Sequence, residues 1–388
     1  MGSYPVNYAN LPRKVRYFFM ADKKLKIGIV GCGGIMKWAH LPAYSRMDNI
    51  EIVALCDIVP GRCEEAQEMA RNSYGSSVLD NAKCYTDFEE FIKQEDIEAV
   101  DICTPNYLHA PFACKALELD KHVFCEKPDS VSVEDVLRMK ETSEKMGKTL
   151  MIMRNNRHVG SSKKAKQLIA NGEFGEIYAG RCGWIRRRGI PGKGGWFTTK
   201  EKSGGGPLID LGVHLIDLSM YLMGNPTPVA VSGSIFTKFA DNEGDASSEH
   251  AAFGEAASDG TFDVEDLAMG FIKFDNGACL QIEFSWASNI EEFDLNFLEL
   301  RGTKAGLKWQ QSGQTSKVFT ETFGKLVDID IAANTDVTGH EGNMRHFVDV
   351  VLNGATPDFV PQQGVNMIKI LRAIYESAET GREVSLVD

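Results

Sequence analysis

The chain has 388 residues, 43% of them hydrophobic and 25% charged, with a net charge of −12. That length predicts two domains with a sizeable core, and the acidic balance argues against nucleic acid or an anionic membrane as the main partner. It leaves room for a phosphorylated ligand, which needs only a local nest of backbone donors.

No apolar run approaches the roughly 20 residues of a membrane span. The nine cysteines form no Cys-x-x-Cys pair and mostly sit in apolar runs, so they read as free thiols of a reducing cytoplasm. Residues 1–22 lack a secretory core. They read as an N-terminal extension: an alternative start at Met20, a remnant, or an arm that packs on a neighbouring subunit.

Residues 25–30 (Leu-Lys-Ile-Gly-Ile-Val) predict a short parallel strand, followed by a glycine turn and a helix to about Met47. Residues 51–57 predict a second strand ending in Asp57, and Pro60 is suited to open the next helix. Further strands are predicted at 99–104 and 122–126, with helices at 87–92, 108–117 and 134–146, the last closed by Gly147. Short apolar strands alternating with helices predict a doubly wound parallel sheet over 23–150.

After Leu150 the strands lengthen and alternate, and Asp275-Asn276-Gly277 is a hairpin turn signal. Residues 151–388 therefore read as an α+β domain with a large, mostly antiparallel open sheet. Residues 237–262, rich in Ala, Ser, Gly, Asp and Glu, read as an exposed loop, either a lid or a surface insertion.

Gly31 suits a tight turn and Gly33 lets the backbone approach a pyrophosphate, while Gly34 and Ile35 open the helix whose amides would meet the phosphates. Met36 stands where the third glycine of Gly-x-Gly-x-x-Gly belongs. Asp57 can accept from both ribose hydroxyls and would repel a 2′-phosphate, so NAD is favoured over NADP. Thr104, Pro105, Asn106 and His109 follow a strand on the carboxyl edge, where ligands of such sheets sit. His109 reads either as facing the cofactor or as a plain helix-start residue.

Lys127, in Cys125-Glu126-Lys127-Pro128, projects from that edge and could hold a substrate hydroxyl and stabilise a developing alkoxide; a solvated strand-end lysine is the alternative. In the run from Gly204 to Asp217, Asp210 and His214 are spaced to share a helical face. The imidazole would take a proton while the carboxylate orients it. Two candidate ligands with no third make a metal site a weak reading.

Gly31-Cys-Gly-Gly-Ile, Glu126-Lys127-Pro128, Asn155-Asn-Arg157 and Asp210-x-x-x-His214 occur in this order, and with them the chain resembles the Gfo/Idh/MocA oxidoreductases. The resemblance covers about residues 25–385. It implies a Rossmann domain, a C-terminal domain whose open sheet often forms an oligomer interface, and NAD as cofactor. It implies Lys127, Asp210 and His214 as the catalytic group, a cis Lys127-Pro128 bond, and Glu126 at the cofactor site. Met36, the 237–262 loop and the N-terminal extension are departures.

Arg157, Trp184, Arg186 and Trp196 are candidates for a sugar pocket, with a solvated surface run as the other reading of residues 186–188. Glu283 and Trp286 read as sheet residues. The leading expectation is an NAD-dependent dehydrogenase oxidising a secondary hydroxyl of a sugar, glycoside or cyclitol, cytoplasmic and homo-oligomeric as a dimer or tetramer. Two alternatives remain. One is a glycoside-cleaving enzyme that keeps NAD in a closed oxidation–elimination–reduction cycle. The other is a non-catalytic NAD-binding regulator.

Overall fold

The computed structural model describes residues 23–240, 254–310, 315–331 and 339–387. The predicted extension at 1–22 lies outside the described residues, as does half of the predicted loop 237–262, namely 241–253.

The first sheet contains β1 (Leu25–Val30), β2 (Ile50–Cys56), β3 (Lys83–Tyr85), β4 (Ala99–Ile102), β5 (His122–Cys125) and β6 (Leu150–Ile152). All pairings are parallel and the order is β3-β2-β1-β4-β5-β6. Every residue of β4 and β6 is buried, as expected of strands covered by helices on both faces. The order reverses between β1 and β4, which opens a crevice at their carboxyl ends.

The second sheet has nine strands: β7 (Ile177–Arg186), β8 (Pro228–Phe236), β9 (Leu267–Phe274), β10 (Cys279–Ser285), β11 (Asp294–Gly302), β12 (Ala305–Trp309), β13 (Ser316–Thr322), β14 (Lys325–Ile331) and β15 (Val384–Ser385). Among the described residues of this sheet only β7 and β10 pair in parallel. The predicted hairpin at 275–277 joins β9 to β10, with Gly277 at φ +82°. One face is apolar and buried, through residues such as Leu280, Ile282 and Phe284. The other exposes Met269 and Phe271 beside a bidentate Arg181–Glu299 ion pair.

Three expectations shift. The helix after Asp57 begins at Arg62, behind Gly61 at φ +89°, and not at Pro60. The helix after the glycine turn starts at Gly34, passes through a π turn over Met36–His40, with Met36 fully buried, and returns to α-helix over Leu41–Tyr44. A boundary at residue 150 falls inside β6, and the helix Gly339–Asn353 crosses back to the first core, where Phe347 lies 5.1 Å from Phe124.

Candidate active site

The turn after β1 has the shape of a phosphate cradle. Gly31 sits at φ +91°, and a Cβ there would meet the Cys103 carbonyl oxygen at 2.6 Å. A Cβ on Gly33 would meet nothing within 4 Å. That free space lies beside Gly34, which is exposed, and the half-buried Ile35. Asp57 is buried at the end of β2 and accepts from the Cys32 and Val59 amides, each at 2.9 Å. A carboxylate has about four acceptor positions, so two remain for ribose hydroxyls. Thr104 Oγ1 is buried with no hydrogen-bond partner among the described residues, and Pro105 beside it is half-buried. Open space at Gly33, spare acceptors on Asp57 and an orphaned hydroxyl at Thr104 fit a dinucleotide.

Lys127 follows β5, and its peptide bond to Pro128 is cis. Its ammonium donates to Asp210 Oδ1 at 2.7 Å and to the Asp210 carbonyl at 3.0 Å. Trp286, fully buried beyond β10, donates from Nε1 to Asp210 Oδ2 at 3.0 Å. His214 opens the helix Val213–Leu222, and its Nδ1 lies 3.2 Å from Asn155 Oδ1. Lys127, His214 and Asn155 meet around one interior gap too small to hold a water molecule. The Asp210–His214 pairing expected from their spacing does not form. Asp210 lies in a π turn over Leu208–Gly212, which changes the angular offset between the two positions. Asp210 orients Lys127, and Asn155 orients His214.

The electrostatics separate the roles. Burial would raise the Asp210 pKa, but Lys127 and then Arg186 outweigh it and hold the carboxyl at about 2. Burial and then Lys127 push His214 down to about 3, against smaller opposing effects of Asp210 and Glu126. The imidazole is therefore neutral near pH 7. An Asn155 oxygen facing Nδ1 favours the tautomer with its proton there, leaving Nε2 as the basic nitrogen.

Trp184 and Arg186 are close to this group. The Trp184 ring lies 6.0 Å from that of His214, and its Nε1 donates to Asp294 Oδ1 at 2.6 Å. Arg186 is buried against Trp184, 5.2 Å from its ring centroid, with Nε 3.7 Å from Asp294 Oδ2. That Nε–H finds no hydrogen-bond acceptor among the described residues. Burial lowers the Arg186 pKa against the pull of Asp210 and Asp294. Arg186 is thus not part of a solvated run.

Other expected site residues are placed differently. Arg157 is not a pocket residue: it is buried, with Nε and Nη2 donating to Asp217 at 2.8 and 2.6 Å, and it also donates to the Asp358 carbonyl. His109 does not face the cofactor crevice, because its nitrogens meet the Pro128 and Thr104 carbonyls at 2.7 and 2.9 Å. Asn106 is buried and turns its amide nitrogen to the Ser203 carbonyl at 2.8 Å. Glu126 lies beneath Lys127, with Oε1 2.8 Å from His40 Nε2 and Oε2 accepting the Lys127 amide at 3.1 Å. Trp196 stacks on Phe197 at 3.8 Å.

Sequence reasoning missed Trp286, Asn155, His40 and His340. Trp286 reads as a continuation of an apolar strand, and only the fold reveals that its indole holds Asp210. Asn155 belongs to a recognised motif whose target is invisible locally. Buried His40 bridges Asp101 Oδ2 (2.7 Å) and Glu126, contacts between distant strand ends. His340 enters from the helix Gly339–Asn353; burial pushes it down to about 4, with Glu126 opposing.

Comparisons with known proteins give the family. Residues 25–153 match the oxidoreductase family with an NAD-binding Rossmann fold, and residues 162–308 match the GFO/IDH/MocA C-terminal domain. A D-glucoside 3-dehydrogenase of Escherichia coli (strain K12) is 32% identical over 367 residues, covering 95% of this chain and 99% of its own. A levoglucosan dehydrogenase of Pseudarthrobacter phenanthrenivorans is 29% identical over 289 residues, covering 74% and 73%. The solved structure of a levoglucosan dehydrogenase with NADH and levoglucosan superimposes with a TM-score of 0.80 at 22% identity, over 94% of this chain and 100% of that one. With both halves matched and a relative aligned nearly end to end, the chain belongs to the GFO/IDH/MocA family of oxidoreductases, with NAD as its cofactor.

Proposed function

We propose that this enzyme oxidises a secondary hydroxyl of a sugar or glycoside, with a glucoside ring as the first candidate. The observation that carries the reading is a lysine donor, fixed by Asp210, set close to a neutral histidine. The full-length similarity to a glucoside dehydrogenase supports the substrate class. The buried arginine against Trp184 supports it too, because sugar rings stack on indoles while guanidinium groups bind their hydroxyls.

An ammonium has three donors, and two of those on Lys127 are directed to Asp210. The third is available to the substrate oxygen, where its charge stabilises developing alkoxide. His214 Nε2 accepts the hydroxyl proton. Asp210 stays ionised and fixes Lys127, and Asn155 fixes the His214 tautomer. Arg186, packed against Trp184, is the candidate guanidinium for neighbouring hydroxyls. When bound, the nicotinamide ring of NAD accepts the hydride released from the carbinol carbon.

The test is NADH formation across a panel of alkyl glucosides, free sugars and inositols, with mass spectrometry of the ketone product. Reduction of NAD by at least one sugar is expected. Firm NAD binding without turnover of any of them would sink the reading. We also infer that the exposed face around Met269 and Phe271 is covered by a second copy of the chain, since apolar strips on an open sheet mark contact surfaces.

A further inference from the structure

Asp129 lies two residues beyond Lys127, and Asp217 lies one turn beyond His214 on the same helix. A single side chain joins them. Arg154, just past β6, donates from Nη2 to Asp129 Oδ2 at 2.5 Å and from Nε to Asp217 Oδ1 at 2.9 Å. Its side chain is 2% exposed, and those of Asp129 and Asp217 are 1% and 6% exposed. Asp217 is held a second time by Arg157. Asp129 is confined from behind, since a Cβ on Gly364 would lie 2.2 Å from its Oδ1. The Arg154 backbone is pinned as well, its amide donating to Asn343 Oδ1 at 2.6 Å.

We propose that Arg154 is a positioning residue that sets His214 in register with Lys127 by bridging Asp129 and Asp217. The inference rests on the sugar-dehydrogenase reading of the same site. Lys127 follows a strand of the first sheet and His214 lies on a helix of the second half of the chain, and no hydrogen bond joins the two side chains to each other. The guanidinium is planar, with donors diverging at fixed angles, so bonding one carboxylate on each segment fixes their separation and relative rotation. Lysine carries a compact charge without that fork and would not reproduce the bridge. Because these charges are buried and paired, removing one partner leaves the other uncompensated, and the segments relax apart. A displacement of about 1 Å between reacting groups costs on the order of 10²-fold in rate.

The test compares Arg154→Ala, Arg154→Lys and Asp129→Asn with wild type, well below each variant's Tm. Expected are a roughly 10²-fold fall in kcat with NAD affinity nearly unchanged, and a larger deuterium isotope effect on kcat with C–D sugar. Partial recovery of Arg154→Ala by millimolar ethylguanidinium is also expected, and a purely structural role would not give it. Should the arginine variants fail to fold, Asp129→Asn carries the same readouts. Wild-type kcat in Asp129→Asn overturns the proposal but leaves the sugar-dehydrogenase reading standing. A crystal structure of that variant supplies a readout independent of turnover. Lys127 Nζ and Asp210 Oδ1 separated beyond hydrogen-bond distance support the proposal; an unchanged 2.7 Å contact overturns it, even if the chain oxidises no sugar.

Discussion

Asp210 is bonded to Lys127 and not to His214: one carboxylate oxygen accepts from the lysine ammonium at 2.7 Å and the other from Trp286 at 3.0 Å. On the proposed reading the carboxylate serves the lysine that would stabilise charge on the substrate oxygen, and Asn155 separately orients the histidine proposed as base. Asp210→Asn keeps the shape and removes the charge. We expect kcat to fall by about 10²–10³-fold, with NAD affinity nearly intact. Steady-state kinetics alongside a direct NAD titration check this; loss of NAD binding with normal kcat would contradict the assignment.

Asn155→Leu should separate tautomer control from substrate binding. Without an acceptor at Nδ1, the proton is free to occupy Nε2, and the base is lost in that fraction of molecules. A severalfold fall in kcat with little change in KM is expected, since part of the molecules keep the productive tautomer. A change confined to KM would make Asn155 a substrate contact instead.

The two glycines of the cradle should behave oppositely. Gly31→Ala meets the Cys103 carbonyl at 2.6 Å and imposes a side chain at φ +91°, so Tm should drop. Gly33→Ala meets nothing in the protein, so Tm should hold while NAD affinity falls as the methyl enters the pyrophosphate space. Calorimetric titration with NAD and thermal unfolding together decide it.

Acid should act in two stages. His214 at about 3 and His340 at about 4 stay neutral in the fold, while unfolded imidazoles charge below about 6.5. Unfolding is therefore favoured from about 6.5 downward. Asp210 and Glu126, both held at about 2, contribute stability present above about 4 and lost as pH falls through their folded values. His40 has the opposite sign, since paired Asp101 lifts its pKa well above normal against the cost of burial. Its contribution is complete below about 6.5 and lost only as pH rises through the folded value. Tm should thus decline below about 6.5 and more steeply below about 4. His214→Gln should weaken the first decline and Asp210→Asn the second. A flat Tm between pH 7 and 4 would contradict the assigned protonation states.

Arg186→Ala should raise KM for the sugar by about 10–100-fold, the worth of a hydrogen bond to a charged donor. NAD affinity should not move. An unchanged KM would leave the buried guanidinium without a substrate role.

The parallel sheet and the glycine turn after its first strand were legible in the sequence because they rest on local signals: apolar runs of strand length, Gly31 and Gly33, and a carboxylate ending the second strand. The position of Lys127 at the carboxyl edge was legible because the end of a parallel strand has a fixed place in such a sheet. The pairings were not. Helical spacing assigned Asp210 to His214, but the π turn and the distant Trp286 assign it to Lys127. Arg157 read as a pocket residue because its partner, Asp217, lies sixty positions away. The helix at 339–353 read as part of the second domain because nothing local says which core it joins. Contacts made by tertiary packing leave no periodic trace in the sequence.

The central claim is that Lys127 and His214 act together on a sugar hydroxyl beside bound NAD. Single-turnover absorbance at 340 nm, after mixing NAD-loaded protein with a glucoside that it oxidises, tests this in wild type and Lys127→Ala, and registers cofactor reduction even if NAD is never released. The account predicts a rise in wild type that is slowed by about 10³-fold in Lys127→Ala at equal NAD occupancy. Equal rates in the two proteins would contradict it.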